Sequence, residues 1–228
     1  MELVDGEPAV DSWRVEPLST LVRMLLQASP APPGRAAIVA IDGRSGAGKS
    51  ALAARLQAAV PGSVVIHTDD VGWGHSFFGW ADLMRHGVLE LVRRGQPVRY
   101  RPPAWDQRGR MGSIEIPEGP AMVIVEGVGA ARRELTDLID VTVWVQSDYN
   151  EAKQRAIARD AILRKGDNHG ASQFWHEWAA AELPFMAADR PWERACVMVS
   201  GTPDRPHDHA SEVVMANTHA DASPCPHG

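Results

Sequence analysis

The stretch IVAIDGRSGAGKSALAARL, residues 38–56, joins a short apolar run to a helix-like segment through closely spaced glycines. Residues 43–50 match the pattern G-x-x-x-x-G-K-[ST] at every fixed position. Glycines in such a turn let successive backbone N–H groups point inward around an anion. A helix that begins near Lys49 adds the positive end of its dipole. The stretch therefore predicts a strand, a phosphate-binding loop and a helix, in that order.

The residues of this loop have separate predicted roles in holding a nucleotide. Lys49, one of only three lysines in the chain, is expected to reach the β- and γ-phosphates of ATP. The hydroxyl of Ser50 is expected to bind Mg²⁺. The residues predicted to contact ATP here are Gly43, Ser45, Gly46, Ala47, Gly48, Lys49, Ser50 and Ala51.

Short apolar runs alternate with helix-like segments along the rest of the chain. The runs at 36–41, 64–67, 121–125, 141–145 and 196–199 have the length and composition of buried strands. Their alternation with helices predicts an α/β fold whose parallel sheet is covered on both faces. Together with the phosphate-binding loop, it predicts a three-layer P-loop NTPase fold with about five parallel strands.

Two long helices are predicted near the C-terminal end of the folded part, at 149–165 and at 172–183, the second ended by Pro184. The 228 residues suffice for one domain of good size. We expect residues 1–15 to form a flexible N-terminus and residues 16–203 to form that domain. Residues 204–228, rich in His, Asp, Ala and Pro, are expected to be a disordered tail.

The overall charge narrows the range of partners. A formal net charge of −6 disfavours a general nucleic-acid binder, which would be basic. No apolar run is long enough to cross a bilayer, and the acidic N-terminus lacks the order of a secretory signal. We therefore expect a cytoplasmic protein that binds a small molecule and neither nucleic acid nor a membrane. The sequence leaves open whether it forms a homo-oligomer.

Carboxylates follow two of the predicted strands. A carboxylate at Asp69 or Asp70 could accept the proton of a hydroxyl that attacks the γ-phosphate. Asp69 is the preferred general base and Asp70 a partner of Mg²⁺ or of a hydrogen bond, although both could instead cap a helix. Glu126 ends the apolar run 121–125, which is the Walker B arrangement. It is expected to hold Mg²⁺ through water or to orient the acceptor.

Four segments in this order resemble the uridine kinase family of P-loop nucleoside kinases: AIDGRSGAGKS (40–50), HTDD (67–70), VIVEGVGA (123–130) and QRAIARD (154–160). The resemblance covers about residues 36–203 and implies a kinase domain with ATP·Mg²⁺ as phosphate donor and a mobile helical lid. Arg155 and Arg159 resemble the lid arginines of that family. Their spacing puts both on one helix face, where they could neutralise charge during phosphate transfer. Thr202 and Pro203 follow the last strand, where the family contacts adenine.

The region expected to bind the acceptor departs from the family pattern. In place of an aromatic pair and a histidine-containing segment, the chain has VGWGHSFFGW (71–80) and YRPPAWDQRGR (100–110). Aromatic side chains there could stack on a planar or sugar-like ligand, and charged ones could bind hydroxyls or an anionic group. The residues predicted to contact the acceptor are Asp69, Trp80, Tyr100, Trp105, Asp106, Arg108 and Arg110.

These features predict an ATP-dependent phosphotransferase that moves the γ-phosphate to a hydroxyl of a small molecule, with a nucleoside such as uridine or cytidine as first candidate. Two alternatives stay open. One is a kinase of a non-nucleoside acceptor such as pantothenate, a sugar phosphate or an antibiotic. The other is a P-loop ATPase or switch without a small acceptor, although the chain has no guanine-selecting N-K-x-D segment and no ABC-type signature.

Overall fold

The structure, a computed structural model, describes residues 1–29, 31 and 34–217. In chain order its strands are β1 (Arg14–Pro17), β2 (Ala37–Asp42), β3 (Val64–His67), β4 (Val98–Tyr100), β5 (Ile114–Ile116), β6 (Met122–Glu126), β7 (Val141–Gln146), β8 (Val197–Ser200) and β9 (Glu212–Asn217). The α-helices are α1 (Leu18–Ala28), α2 (Lys49–Ala59), α3 (Thr68–Gly72), α4 (Ala81–Met84), α5 (Glu90–Arg93), α6 (Pro103–Gln107), α7 (Tyr149–Leu163) and α8 (Asn168–Asp189). A π-helical turn, Arg85–Leu89, joins α4 to α5, and 3-10 turns span Arg133–Leu135 and Pro191–Arg194.

Seven strands form the central sheet in the order β1-β9-β8-β7-β2-β6-β3. The five strands from β8 to β3 are parallel, whereas β9 is antiparallel to β8 and β1 is antiparallel to β9. The predicted α/β fold is therefore confirmed. The expected five parallel strands are present, and two antiparallel strands extend the sheet at one edge. The short strands β4 and β5 pair with each other in a separate ribbon.

The central strands are buried on both faces because their residues alternate between two cores. In β2, Ile38 and Ala40 pack in a core with apolar side chains of α4, α5 and the π-helical turn between them. Val39 and Ile41 point to the other face and pack against α1 and α2. The sheet thus lies between two helical layers, as the sequence predicts.

The folded part extends beyond the expected boundaries at both ends. Within the expected tail, Glu212–Asn217 forms β9, whose residues Val213, Val214, Met215 and Ala216 are buried. Residues 218–228 lie outside the described residues. Within the expected flexible N-terminus, residues 14 and 15 begin β1, which pairs with β9, and the buried Glu7 accepts hydrogen bonds from the side chains of Trp144 and Gln146. These contacts join residues far apart in sequence, so local periodicity gives no sign of them.

Helix α8 also runs further than predicted. It continues through Pro184 to Asp189, although proline cannot donate the backbone hydrogen bond of its turn. Beyond the proline, Met186 is buried and Phe185 packs in the same apolar cluster. This burial offsets the cost of the proline. Across the described residues, no helix has both the length and the apolar character needed to cross a membrane.

Candidate active site

A cleft of about 1210 Å³ opens at the carboxyl ends of β2, β3 and β6. Ligands of open α/β sheets bind at this edge. The phosphate-binding loop, the residues that follow β3, and Glu126 at the end of β6 form its floor, and α7 and α8 form a wall. Its volume exceeds the roughly 300–1,000 Å³ typical of a pocket for one small ligand. There is room for a nucleotide and a second small molecule together.

The phosphate-binding loop, residues 43–50, connects β2 to the first turn of α2. Gly46 and Gly48 adopt positive φ angles of 79° and 100°, which the curvature of the loop requires. Lys49 is buried, and its Nζ donates a hydrogen bond to the carbonyl oxygen of Arg44 at 2.9 Å. The loop residues that face the cleft are Ser45, Gly46, Gly48, Lys49, Ser50 and Ala51.

Two predicted contacts of the nucleotide, Gly43 and Ala47, lie outside the cleft lining. A Cβ atom on Gly43 would lie 2.5 Å from the carbonyl oxygen of Val145 on β7, so the glycine permits close packing of the loop on the sheet. Ala47 is fully buried, and its carbonyl oxygen accepts a hydrogen bond from Ser147 Oγ at 3.1 Å. Both residues support the loop from behind.

Ser50 and Glu126 meet at the floor of the cleft. Ser50 Oγ donates a hydrogen bond to Glu126 Oε1 at 2.9 Å. Burial raises the pKa of Glu126, but the hydrogen bond with His67 and the charge of Lys49 outweigh it and leave that pKa below its ordinary value. An ionised carboxylate beside a hydroxyl supplies the oxygen ligands that Mg²⁺ prefers. The donor set therefore fits the predicted magnesium site.

His67 is a member of this cluster that the sequence reasoning missed. Its Nδ1 lies 2.5 Å from Glu126 Oε2, and this hydrogen bond is the main cause that raises the pKa of His67. The register of the parallel pair β3 and β6 places His67 directly opposite Glu126. The sequence does show that His67 and Glu126 each end a strand. That the two strands are neighbours in the sheet is known only once the strand order is known.

The structure separates the two candidate bases, Asp69 and Asp70. The Asp69 side chain is open to the solvent of the cleft but has protein on most sides. This loss of hydration raises the pKa of Asp69, and the charge of Lys49 opposes the shift. Asp70 instead accepts a hydrogen bond from Arg110, and its carbonyl oxygen accepts one from Trp105 Nε1 at 2.9 Å. Asp70 lines the cleft, and its carboxylate is paired with Arg110.

Both lid arginines lie at the cleft, on one face of α7. Arg155 Nη1 donates to the carbonyl oxygen of Gly201 at 2.7 Å, and Arg159 Nε pairs with Asp160 at 3.0 Å. The charge of Arg159 also lowers the pKa of Asp69. Both arginines therefore line the cleft, and their closure over phosphates stays a prediction.

The predicted adenine contacts, Thr202 and Pro203, do not line the cleft. Thr202 Oγ1 accepts a hydrogen bond from the backbone N–H of Asp148 at 2.8 Å, which ties this segment to the start of α7. The preceding Gly201 packs against the phosphate-binding loop so closely that a Cβ atom would clash with the carbonyl of Ala47. In the described residues this segment supports the loop.

Most of the predicted acceptor residues also lie outside the cleft. Trp80 lines it, and Asp69 does as well, but five others do not: Tyr100, Trp105, Asp106, Arg108 and Arg110. Arg110 stacks on the ring of Trp105 at 3.8 Å from its centroid and binds Asp70. Arg108 donates to Gly74 and Asp106 pairs with Arg101. The charged groups of this segment are therefore engaged within the protein, and the segment forms a support behind Asp70.

Helix α8 supplies an aromatic wall that sequence reasoning missed. Phe174, Trp175 and Trp178 line the cleft together with Phe77. The ring of Phe77 packs edge-on against that of Trp178, with the two centroids 4.9 Å apart. Trp178 Nε1 and His75 Nε2 are buried and have no hydrogen-bond partner within the described part of the chain. Aromatic residues on a long helix normally indicate packing, so only the fold shows that this face borders the cleft.

A phosphate-binding loop after one parallel strand, with carboxylates after two neighbouring strands, defines a P-loop NTPase fold. No family model matches the chain. The uridine kinase of Saccharomyces cerevisiae is 25% identical over 161 residues, which are 62% of this chain and 32% of the relative. The chain thus spans about a third of the length of that relative.

Two solved structures are similar to the chain to different degrees. A protein from Silicibacter sp. TM1040 assigned as a fructose transport system kinase matches with a TM-score of 0.50 and 22% identity, covering 76% of this chain and 93% of that one. A protein from Bacillus stearothermophilus assigned as a uridine kinase matches with a TM-score of 0.46 and 17% identity, covering 79% and 96%. The similarity to the yeast uridine kinase agrees with the resemblance carried by the motifs, and the likeness to the Silicibacter protein shows a shared fold.

Proposed function

We propose that the protein is an ATP-dependent phosphotransferase that moves the γ-phosphate of ATP to a hydroxyl of an uncharged small molecule. The observation that carries the proposal is the position of Asp69. Its carboxylate shares one cleft with Lys49 of the phosphate-binding loop and with the Ser50–Glu126 pair. A kinase of an alcohol needs a base beside the γ-phosphate to accept the proton of the attacking hydroxyl, and the Asp69 carboxylate lies in the cleft where it can serve as that base.

In this proposal the chain's own groups divide the work. Asp69 accepts the proton of the attacking hydroxyl, and its raised pKa makes it a stronger base than an ordinary aspartate. Lys49 exchanges its hydrogen bond with Arg44 for contacts with the phosphates. Arg155 and Arg159 neutralise the charge that develops on the transferred group. Ser50 and Glu126 would hold Mg²⁺, which supplies further neutralisation of phosphate charge.

The lining of the cleft favours an uncharged acceptor. Within the described residues, the cations that line it are Lys49, Arg155 and Arg159, and all three serve the phosphate side. The part of the cleft on the far side of Asp69 from the phosphate-binding loop is lined by aromatic side chains. A charged acceptor, such as a sugar phosphate or the carboxylate pantothenate, would have no cation to pair with in that part. Flat walls suit a planar or sugar-like body, which supports a nucleoside such as uridine or cytidine as first candidate.

A direct product assay tests the proposal. The purified protein is incubated with Mg·ATP and matched panels of acceptors: uridine, cytidine and fructose as uncharged alcohols, and pantothenate and ribulose 5-phosphate as charged ones. Mass spectrometry then looks for a gain of one phosphate. We expect a product from the uncharged panel, formed about 10²–10⁴-fold more slowly when Asp69 is replaced by Asn.

The outcomes separate the alternatives. A product from the charged panel alone would overturn the inference about the acceptor but keep the kinase. Binding of Mg·ATP with no product from any acceptor, together with release of ADP and inorganic phosphate, would favour a P-loop ATPase or switch. Failure of Mg·ATP to bind would overturn the proposal as a whole.

A further inference from the structure

A buried carboxylate that no catalytic step uses contacts the phosphate-binding loop from outside the cleft. Glu182 Oε1, on α8, accepts a hydrogen bond from the backbone N–H of Ser45 at 2.7 Å. The Glu182 side chain is only 1% exposed and does not line the cleft, although Ser45 does. The amide of Ser45 is therefore turned toward the carboxylate and away from the space that phosphates would fill.

The loop depends on such external contacts for its shape. Gly46 and Gly48 adopt positive φ angles, which are open to them because glycine has no side chain. The same lack of a side chain leaves the backbone of the loop with few steric limits of its own. Between these glycines, Ala47 is fixed by its own N–H to the carbonyl of Arg44 at 3.1 Å and by Ser147. The backbone of Gly46 packs so closely on the carbonyl of Ala152 in α7 that no Cβ atom fits. The hydrogen bond from the Ser45 N–H to Glu182 fixes the backbone of Ser45, in the first half of the loop.

The same helix face borders the acceptor half of the cleft. Trp178 and Glu182 are four residues apart on α8 and so lie one turn from each other on one face. Trp178 contacts the cleft, and Glu182 contacts the loop. A rigid helix thus joins the wall of the acceptor space to the phosphate-binding loop.

We propose that Glu182 is a positioning residue that holds the phosphate-binding loop in its nucleotide-binding conformation by accepting the Ser45 N–H. The inference rests on the proposed function only in that the loop binds a nucleotide. It makes no use of the acceptor's identity. What matters is the reach of the oxygen to Ser45 and not the negative charge, so an uncharged side chain of equal length should serve equally well.

Three substitutions at Glu182 and one control test this inference by calorimetric titration with Mg·ATP. Glu182→Gln keeps an oxygen at the same reach without the charge, and we expect its Kd to be within twofold of the wild-type value. Glu182→Asp keeps the charge but withdraws the oxygen by about 1.5 Å, one carbon–carbon bond. Glu182→Ala removes the oxygen. For both we expect a Kd about tenfold higher than that of the wild type. Glu177→Ala, on an exposed turn of the same helix, should bind like the wild type.

The titration separates positioning from a general loss of folding. Partial unfolding lowers the fraction of molecules that bind but leaves the Kd of the folded fraction unchanged, whereas a displaced loop raises the Kd itself. Wild-type affinity in the Asp and Ala variants would overturn the inference, as would a Gln variant as weak as the Ala variant. If Glu182→Ala does not fold, the contrast between Asp and Gln decides. Absence of Mg·ATP binding in the wild type would instead refute the proposed function.

Discussion

Replacing Gly46 with alanine tests whether the phosphate-binding loop is fixed by its packing on α7. Gly46 has a φ angle of 79°, and a Cβ atom there would clash with the carbonyl oxygen of Ala152. Gly119 offers a matched control, because it has a φ angle of 66° but nothing within 4 Å of its Cβ position. Both substitutions force alanine into the left-handed region, and only one adds a clash with backbone.

The two changes should differ in their effect on the free energy of unfolding. Left-handed backbone costs an ordinary residue roughly 1–2 kcal/mol, and this cost is common to both variants. Overpacking adds about 1–3 kcal/mol where neighbouring backbone must move, which applies to Gly46→Ala alone. The lower entropy of unfolded alanine offsets about 0.4–1 kcal/mol in both, so it cancels in the comparison. We therefore expect Gly46→Ala to be less stable than Gly119→Ala by about 1–3 kcal/mol.

Urea denaturation measures this difference, and titration with Mg·ATP measures its consequence at the loop. Because about 1.4 kcal/mol corresponds to a factor of ten in affinity, a loop displaced at a cost of about 1–3 kcal/mol should bind Mg·ATP about fivefold to about a hundredfold more weakly. Gly119→Ala should keep the wild-type Kd. Equal stability of the two variants, with unchanged Mg·ATP binding by Gly46→Ala, would refute the view that close packing on Ala152 sets the loop geometry.

Three further predictions concern the chemistry of the cleft. Asp69→Asn should bind Mg·ATP normally but lower kcat by about 10²–10⁴-fold, the scale of a lost general base; a near-normal kcat in a steady-state assay would remove Asp69 from that role. The pKa of Asp69 is raised above 3.8, and the active form is ionised, so kcat/KM, which reports the free enzyme, should fall as the pH drops through this raised value. A pH–rate profile should therefore place the acid limb above that of an ordinary aspartate, and a limb at or below pH 3.8 would contradict the shift. Lys49→Ala should abolish turnover in a product assay while Lys153→Ala, a lysine outside the cleft, leaves it unchanged; retained turnover would contradict phosphate clamping by Lys49.

Some predictions from the sequence await other measurements. Location in the cytoplasm and the absence of nucleic-acid partners remain predictions, and the oligomeric state stays open. Cell fractionation and sedimentation would address the location and the assembly.

The phosphate-binding loop and the parallel part of the sheet follow from local sequence patterns. Residues 43–50 form that loop because glycine conformation and the start of a helix are local properties of the backbone. The parallel strands follow from short apolar runs that must be buried on both faces. Asp69 and Glu126 reach the cleft because carboxyl ends of parallel strands share one edge of a sheet.

Which side chains meet at the cleft and which are paired elsewhere depends on the packing of distant elements. The charge of Arg110 would allow it to bind an acceptor, but in the fold it pairs with Asp70 and stacks on Trp105. Trp178 could be a core residue by composition, but α8 sets it at the cleft, and Glu182 meets Ser45 across 137 residues of sequence. Likewise, β9 is recognisable only through its pairing with β1 and β8. Local patterns fix backbone conformation and burial, whereas the partner of a polar or aromatic side chain depends on which distant elements pack together.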